Sequence, residues 1–290
     1  MSSSAGRASE IGAFLRARRD AVRPEEFGLP VLGRRRVPGL RREELAQLAG
    51  VSPDYYVRLE QGRGRNVSDS VLDAVAQVLR LSEVEREHLR NLARPGEAVP
   101  SRPLRPVRSG LQVLLDMMAT VPAFVMGRRM DVVAWNGLGD AVNGFTGWSA
   151  GPPNVARWTF LDPRARSFYL DWETVAGETV AYLRLYAGRH PSDPALAALL
   201  GDLSLRSPEF VRLWAGQRVK EKTFGAKLLR HPIAGELELA FETLALPGEP
   251  DLLLVTYTAV PGSADAEKLQ LLASWVQTTG GRGVLGLVGE

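Results

Sequence analysis

The chain has 290 residues, room for two domains at about 100–200 residues each, and its 45% apolar and 24% charged content fits a folded protein and not a disordered one. It has no cysteine, which excludes a disulfide framework, a thiol nucleophile and any cysteine-ligated zinc or iron–sulfur centre; its three histidines, His88, His190 and His231, are too scattered for a His-rich metal site. The net charge of +3 hides an asymmetry, because residues 1–108 carry 20 cations against 14 anions and residues 109–290 carry 16 against 19. A basic first part joined to a mildly acidic second part points to a polyanion partner for the first part only.

The first helix is expected over residues 9–22, with Ile11, Phe14, Leu15 and Arg18 on one face and Arg16 and Arg19 on the other. EEFGLPVLGRRRVPGL then reads as a loop. A short helix over 41–49 points Leu45, Leu48 and Ala49 inward and is stopped by Gly50, which accepts the left-handed conformation of a tight turn. Val51 is an apolar plug, Ser52 an N-cap and Pro53 the first helical position of the next helix, which runs to Gln61. That helix buries Tyr56 and Leu59 and leaves Asp54, Tyr55 and Arg58 outside. Ser68 or Ser70 caps a fourth helix with Val71, Leu72, Val75 and Leu79 inside, and Ser82 with Glu85 forms a capping box on a fifth.

Short helix, glycine turn, short helix is the helix-turn-helix arrangement, in which the second helix enters the major groove with its N-terminal half. Arg58 can meet the O6 and N7 of guanine together, and Tyr55 can touch a thymine methyl or a phosphate. Ser52 and Asp54 stand beside them. Arg63, Arg65 and Asn66 follow in a loop placed to grip phosphates, and Arg41 and Arg42 open the preceding helix, where backbone N–H groups also attract phosphate.

LRREELAQLAGVSPDYYVRLEQGRGRNVSDSVLDAVAQVL resembles the DNA-binding domain of the XRE (Cro/repressor-like) transcription regulators. The resemblance reaches back to FLRARRD and forward to Leu92. It implies a five-helix, all-α domain with residues 52–61 as the recognition helix and Tyr56 and Leu59 in its core.

Four prolines between residues 95 and 108 break helix and favour an extended linker. All six tryptophans lie beyond it. Residues 109–120 read as an amphipathic helix with Leu111, Leu114, Leu115 and Met118 on one side. PAFVMGRRMDVVAWN reads as two strands around a turn at Arg128–Met130, and GLGDAVNGF as a short helix. Helices are expected over 172–188, 194–204 and 208–215. In GELELAFETL, Leu237, Leu239 and Phe241 alternate with Glu236, Glu238 and Glu242, and residues 252–260 are apolar on both faces, as in a central strand. Residues 265–275 close the domain with a helix. A mixed α+β domain with an antiparallel sheet fits this series.

PAFVMGRRMDVVAWN, WTFLDPRARSFYLDWE, SPEFVRLWAG and LRHPIAGELELAFETLALPGEP, with LVTYTAVPGS, look like the MmyB-like ligand-binding domain. The resemblance implies a PAS-like fold that senses a small molecule, with a fatty acid or similar lipid as the ligand class. Two departures stand out: Gln217 and Arg218 replace the family's usual His-Asp, and Phe241 replaces a tyrosine. Candidate pocket residues are Phe124, Trp135, Asn136, Arg157, Trp158, Phe160, Trp172, Trp214, His231 and Tyr257, with Arg157, His231 or Asn136 as partner for a ligand carboxylate.

The fold expected is therefore multi-domain: an all-α helix-turn-helix domain over 1–95, a linker over 96–108, an α+β PAS-like domain over 109–276 and a tail over 277–290. The function expected is a transcription regulator that binds a double-stranded operator as a homodimer, its recognition helices ~34 Å apart. Its second domain senses a small apolar effector. A flavin or haem redox sensor and a ligand-free protein-interaction regulator are the alternatives. Asp171 with Glu173, and Glu236 with Glu238, form no reactive constellation, so neither catalysis nor a resident cofactor or metal is expected. No apolar run approaches the roughly 18 residues of a membrane span, and MSSSAGRASEIGAF lacks a signal core, so a cytoplasmic protein without a membrane partner is expected.

Overall fold

The computed structural model describes residues 2–28, 37–63, 67–94, 106–148, 152–221 and 223–279, with side chains from residue 10 onward. The chain divides into two compact units. The first comprises Met1–Ser101 with Val180–Ala197 and Arg212–Glu221; the second comprises Arg102–Thr179, Ala198–Val211 and Lys222–Glu290.

The first unit begins with α1 (Ser2–Ala21), which starts earlier than the expected residue 9, followed by a 3-10 turn (Pro24–Phe27) inside the stretch read as loop. Helices α2 (Arg42–Leu48), α3 (Pro53–Glu60), α4 (Asp69–Val78) and α5 (Glu83–Ala93) complete an all-α body. Ile11, Phe14 and Leu15 pack with Leu45, Tyr56, Leu59, Leu72, Val75 and Leu89 in one core. The caps form as the sequence implies. Ser52 Oγ accepts the Tyr55 N–H (3.2 Å), Ser68 Oγ accepts that of Val71 (3.3 Å), and Ser82 and Glu85 close a reciprocal box at 2.8 and 3.4 Å. Gly50 turns the chain between α2 and α3 at φ +66°.

Two inward faces differ from expectation. In α2 the buried residues are Leu45 and Ala46, whereas Leu48 is 37% exposed. At about 100° per residue, the stripe through Leu45, Ala46 and Ala49 leaves Leu48 roughly 100° from its centre. In α1, Arg19 lies on the buried side and not on the outer one. It falls one turn after Leu15, and a residue far along the chain makes the position tolerable. Its Nε reaches Glu60 Oε2 at 3.4 Å and its Nη1 donates to the Leu40 carbonyl at 2.6 Å. Glu60, itself buried, also accepts from Arg42 through Nε (3.1 Å) and Nη2 (2.7 Å). The α1 backbone meets the end of α3 so closely that a Cβ at Gly12 would stand 2.2 Å from the Glu60 carbonyl oxygen.

Val180–Ala197 and Arg212–Glu221 complete this unit. His88 is buried edge-on against Phe14 (5.1 Å between ring centres), and its pKa is pushed down to about 3, mainly by burial, with Arg184, Arg18 and Arg189 adding repulsion. Buried Arg184 lies over the Trp214 ring at 4.1 Å and donates to Gln217 Oε1 at 2.7 Å.

In the second unit, α6 (Ser109–Met117) buries Leu111 and Leu115 against Ala123, Val125 and Leu254. Leu114, expected inward, is 50% exposed, at the edge of that stripe. Strands β1 (Ala123–Gly127) and β2 (Val132–Trp135) form the expected hairpin, and α7 (Gly137–Asn143) follows. Helices α8 (Val155–Leu161) and α9 (Arg164–Phe168), which the hydrophobic pattern did not disclose, precede α10 (Trp172–Arg189), α11 (Pro194–Arg206) and α12 (Pro208–Ala215). The residues of α10 from Val180, the start of α11 and the end of α12 belong to the first unit. Strands β3 (Phe224–His231), β4 (Gly235–Ala245) and β5 (Leu252–Thr258) and helix α13 (Ala264–Thr279) complete the chain. The sheet is antiparallel throughout, in the order β2-β1-β5-β4-β3. The fold is thus an α unit followed by an α+β unit. The central strand is β5, whose sequence is apolar on both faces, and β4 buries Leu237, Leu239 and Phe241 while exposing its glutamates. Among the described residues no helix is long and apolar enough to cross a membrane.

Two outcomes follow. Glu60→Ala leaves Arg19 buried without its carboxylate and is expected to destabilise the first unit by about 3–5 kcal/mol, read as a shifted urea transition by circular dichroism. Unfolded His88 takes a proton near pH 6.5 that the folded protein refuses until about pH 3. The unfolded state therefore gains protons first, and stability present above pH 6.5 is lost progressively below it. Stability measured against pH should fall less steeply on acidification in His88→Gln than in the natural protein.

Candidate nucleic-acid interface and ligand cleft

Helix α3 separates its residues sharply. Tyr56, Leu59 and Glu60 are buried, while Ser52, Asp54 and Arg58 are exposed and Tyr55 is half-buried. Asp54, Tyr55 and Arg58 fall within about 100° of one another on the helix. The Arg58 guanidinium lies 5.8 Å from the centre of the Tyr55 ring, a loose stack that holds both on the outer face. A helix that presents an acid, a half-buried phenol and a guanidinium over one face offers groove-edge donors and acceptors.

Arg41 and Arg42 are both exposed at the entrance to α2. The Arg41 N–H donates to Glu44 Oε2 at 2.7 Å, closing the helix start. Arg42 spends two donors on Glu60, and its side chain remains 45% exposed. Hydrogen bonding to Glu60 holds its pKa above the ordinary value. Arg63 is exposed just past α3, its N–H donating to the Arg58 carbonyl at 2.9 Å. Arg65 and Asn66 lie outside the described residues. Glu60, which orients α2 against α3, is the residue that sequence reasoning missed; a buried acid one position after a core leucine was its only signal.

In the second unit the aromatic residues form a continuous belt. Tyr257 on β5 meets Phe124 on β1 at 6.0 Å, Phe124 meets Phe145 at 5.0 Å, and Phe145 touches both Trp135 (5.5 Å) and Trp148 (5.0 Å). Trp148 stacks on Trp158 at 4.8 Å with 2° between the planes, and Trp158 meets Phe168 at 6.1 Å. Four of the candidate residues, Phe124, Trp135, Trp158 and Tyr257, are thus joined through two that the sequence did not single out, Phe145 and Trp148. Phe160 and Trp172 form a separate group with Phe210, at 5.9 and 5.2 Å from Phe160, and the Trp172 indole donates to the Thr159 carbonyl at 2.9 Å. Trp214 belongs to the first unit.

The polar candidates differ in what they have left to offer. Asn136 caps α7: its Oδ1 accepts from Gly139 (2.7 Å) and Ala123 (3.1 Å), and its Nδ2 donates to the Met118 and Val121 carbonyls, both at 2.8 Å. His231 ends β3. Its Nδ1 accepts from Ile233 and Ala234 at 3.2 and 3.0 Å, which leaves Nε2–H to donate to the Ala141 carbonyl at 2.8 Å. Burial holds its pKa below the ordinary value. Both residues spend their polar atoms on the fold. Burial likewise raises the Tyr257 phenol far above its usual range, so it stays protonated. Arg157 is exposed and pairs with Asp202. Beside it a cleft of about 140 Å³ is lined by Trp148, Pro153, Arg157, Trp158, Leu161 and Arg206.

Residues 10–89 match a helix-turn-helix domain, and residues 107–272 match the MmyB-like transcription regulator ligand binding domain. The chain belongs to the MmyB-like transcription regulator family. No curated protein matches it at a significant level. As an MmyB-like regulator it joins a DNA-binding helix-turn-helix unit to a ligand-binding domain, the composition of a ligand-responsive transcription regulator. The two departures from the family pattern have structural settings in this MmyB-like chain. Gln217, at φ +53°, accepts from Arg184 through Oε1 and from Arg18 Nη2 through its carbonyl (2.7 Å). Phe241 is buried, with the Lys227 ammonium 5.3 Å from its ring centre.

Asn136→Ala removes a cap and strands the Ala123 N–H and the Val121 carbonyl, while the Met118 carbonyl keeps the Val121 N–H at 3.2 Å. Thermal denaturation should register a loss of about 2–4 kcal/mol; a variant as stable as the natural protein would mean that Asn136 does not hold α7 to β1.

Proposed function

We propose that this chain is a sequence-specific DNA-binding transcription regulator that acts as a homodimer and responds to an apolar carboxylic acid. The single observation that carries the DNA reading is the exposed face of α3, with Asp54, Tyr55 and Arg58 outward while Tyr56, Leu59 and Glu60 anchor the helix from below. Ser52 caps that helix, and Arg41, Arg42, Arg63, Arg65 and Asn66 are assigned to phosphates. Regulation and not catalysis is the reading of the second domain, in keeping with the exposed positions of Asp171, Glu173, Glu236 and Glu238 on its surface.

The effector class implied by the family resemblance is a fatty acid or similar lipid, within a PAS-like sensor. The aromatic belt supplies apolar walls for it and Arg157 supplies a cation. A long acyl chain enters only if rings of the belt part, because the cleft of about 140 Å³ lies below the roughly 300–1,000 Å³ of drug-sized ligand sites. The effector acts by population shift, favouring one dimer geometry and thereby changing operator affinity. The close packing of the belt favours one second reading, a ligand-free module that recruits a protein partner.

Selection from a random duplex pool is expected to return a pseudo-palindrome. On that site Arg58→Ala should cost about 1–3 kcal/mol and relax preference at one base pair, whereas Arg63→Ala should weaken all sequences alike and lower the salt slope by about one unit. Selection that returns no enriched sequence, or equal selectivity in Arg58→Ala, would contradict the assignment of α3.

A further inference from the structure

Resting on the reading of residues 107–272 as a ligand-binding domain, we propose that the cleft between Trp158 and Arg206 is a binding site for a monocyclic aromatic carboxylate. Three observations converge on that chemistry.

The first is size. The cleft holds about 140 Å³, and an apolar cavity of about 150 Å³ takes one benzene ring. A single ring fits without any ring of the belt moving, and a long acyl chain does not. The second is surface. Trp148 and Trp158 are stacked nearly parallel, at 4.8 Å and 2°, and both border the cleft together with Leu161 and Pro153. Trp158 is buried against Trp148 with the Arg164 guanidinium over its ring at 5.0 Å, so what the pair leaves for a guest is ring edge, which favours the face of a flat guest through edge-to-face contact.

The third is charge. Asp162 is already neutralised by Arg164, which holds it in a two-pronged pair at 2.9 and 2.7 Å. Among the described residues, Asp202 is the carboxylate that Arg157 and Arg206 share, the latter at 3.6 Å. Among the described residues around the cleft, three guanidiniums therefore meet two carboxylates, and Arg157 and Arg206 line the cleft itself. A carboxylate on the guest completes the balance and receives donors of a fork geometry suited to it. Asp202 occupies in the free protein the position toward which the guest acid competes.

Benzoate, its neutral isostere benzamide and myristate are titrated into the full chain, with tryptophan fluorescence and calorimetry as readouts. Benzoate is expected to bind saturably and to change the emission of the stacked pair, with benzamide far weaker. Arg206→Met and Arg157→Met, both at exposed positions, should each weaken benzoate by about tenfold or more. Myristate, which would share the Arg157 cation but overfills the cleft, should compete with benzoate only at concentrations at least about tenfold higher. Absent benzoate binding, benzamide binding as well as benzoate, undiminished affinity in both variants, or displacement of benzoate by equimolar myristate would each overturn the site. Anisotropy with a DNA duplex at low salt, run on the same samples, separates the two readings: retained DNA binding without benzoate binding defeats the cleft alone, and lost DNA binding defeats the regulator.

Discussion

A buried carboxylate gripped by two arginines holds the first unit in working order. Helix α3 has only eight residues, too few to persist in water without tertiary support. Glu60 at its end supplies that support in a directional form, with Arg19 of α1 on one oxygen and Arg42 of α2 on the other. The apolar anchors Tyr56 and Leu59 fix the depth of α3, and Glu60 fixes its rotation. The cost of burying Glu60 and Arg19 is offset because each finds a partner, with the half-exposed Arg42 adding two donors and the Leu40 carbonyl taking a further Arg19 donor. Rotation is what matters for recognition, since it decides which three side chains face outward.

The second unit relies on a different constraint, ring packing. A sheet with β5 at its centre supplies Phe124 and Tyr257, and Phe145 and Trp148 carry the contact out to α8. Hydrogen bonds from Asn136 and His231 pin the surrounding backbone. The belt ends at a cleft where apolar walls give way to guanidiniums, so the chemistry of the domain changes along one line, from closed core to an exposed edge carrying Arg157 and Arg206. A regulator needs both properties, because a ligand can shift an equilibrium only by binding one state better than another.

Much of this was legible in the sequence where the signal is local. Caps at Ser52, Ser68 and Ser82, the Gly50 turn, the alternation of β4 and the two-faced apolarity of β5 are decided by neighbouring residues. The sequence could not disclose what depends on distant partners. Arg19 breaks the amphipathic pattern of α1 because its counter-charge lies 41 residues away. Leu48 and Leu114 sit at the margin of their helical stripes, where spacing alone leaves either side open. Phe145 and Trp148 were passed over because they stand around a glycine-rich turn, outside any periodic segment, and become central only when the hairpin of β1 and β2 brings Phe124 and Trp135 to them.

We propose that the outer face of α3 reads the edge of a base pair in the major groove. Methylation interference at guanine N7, which protrudes into that groove, tests it most directly. Methylating one guanine in each half-site, with the two separated by about one turn of the duplex, should abolish binding. Binding indifferent to N7 methylation at every position would contradict the claim.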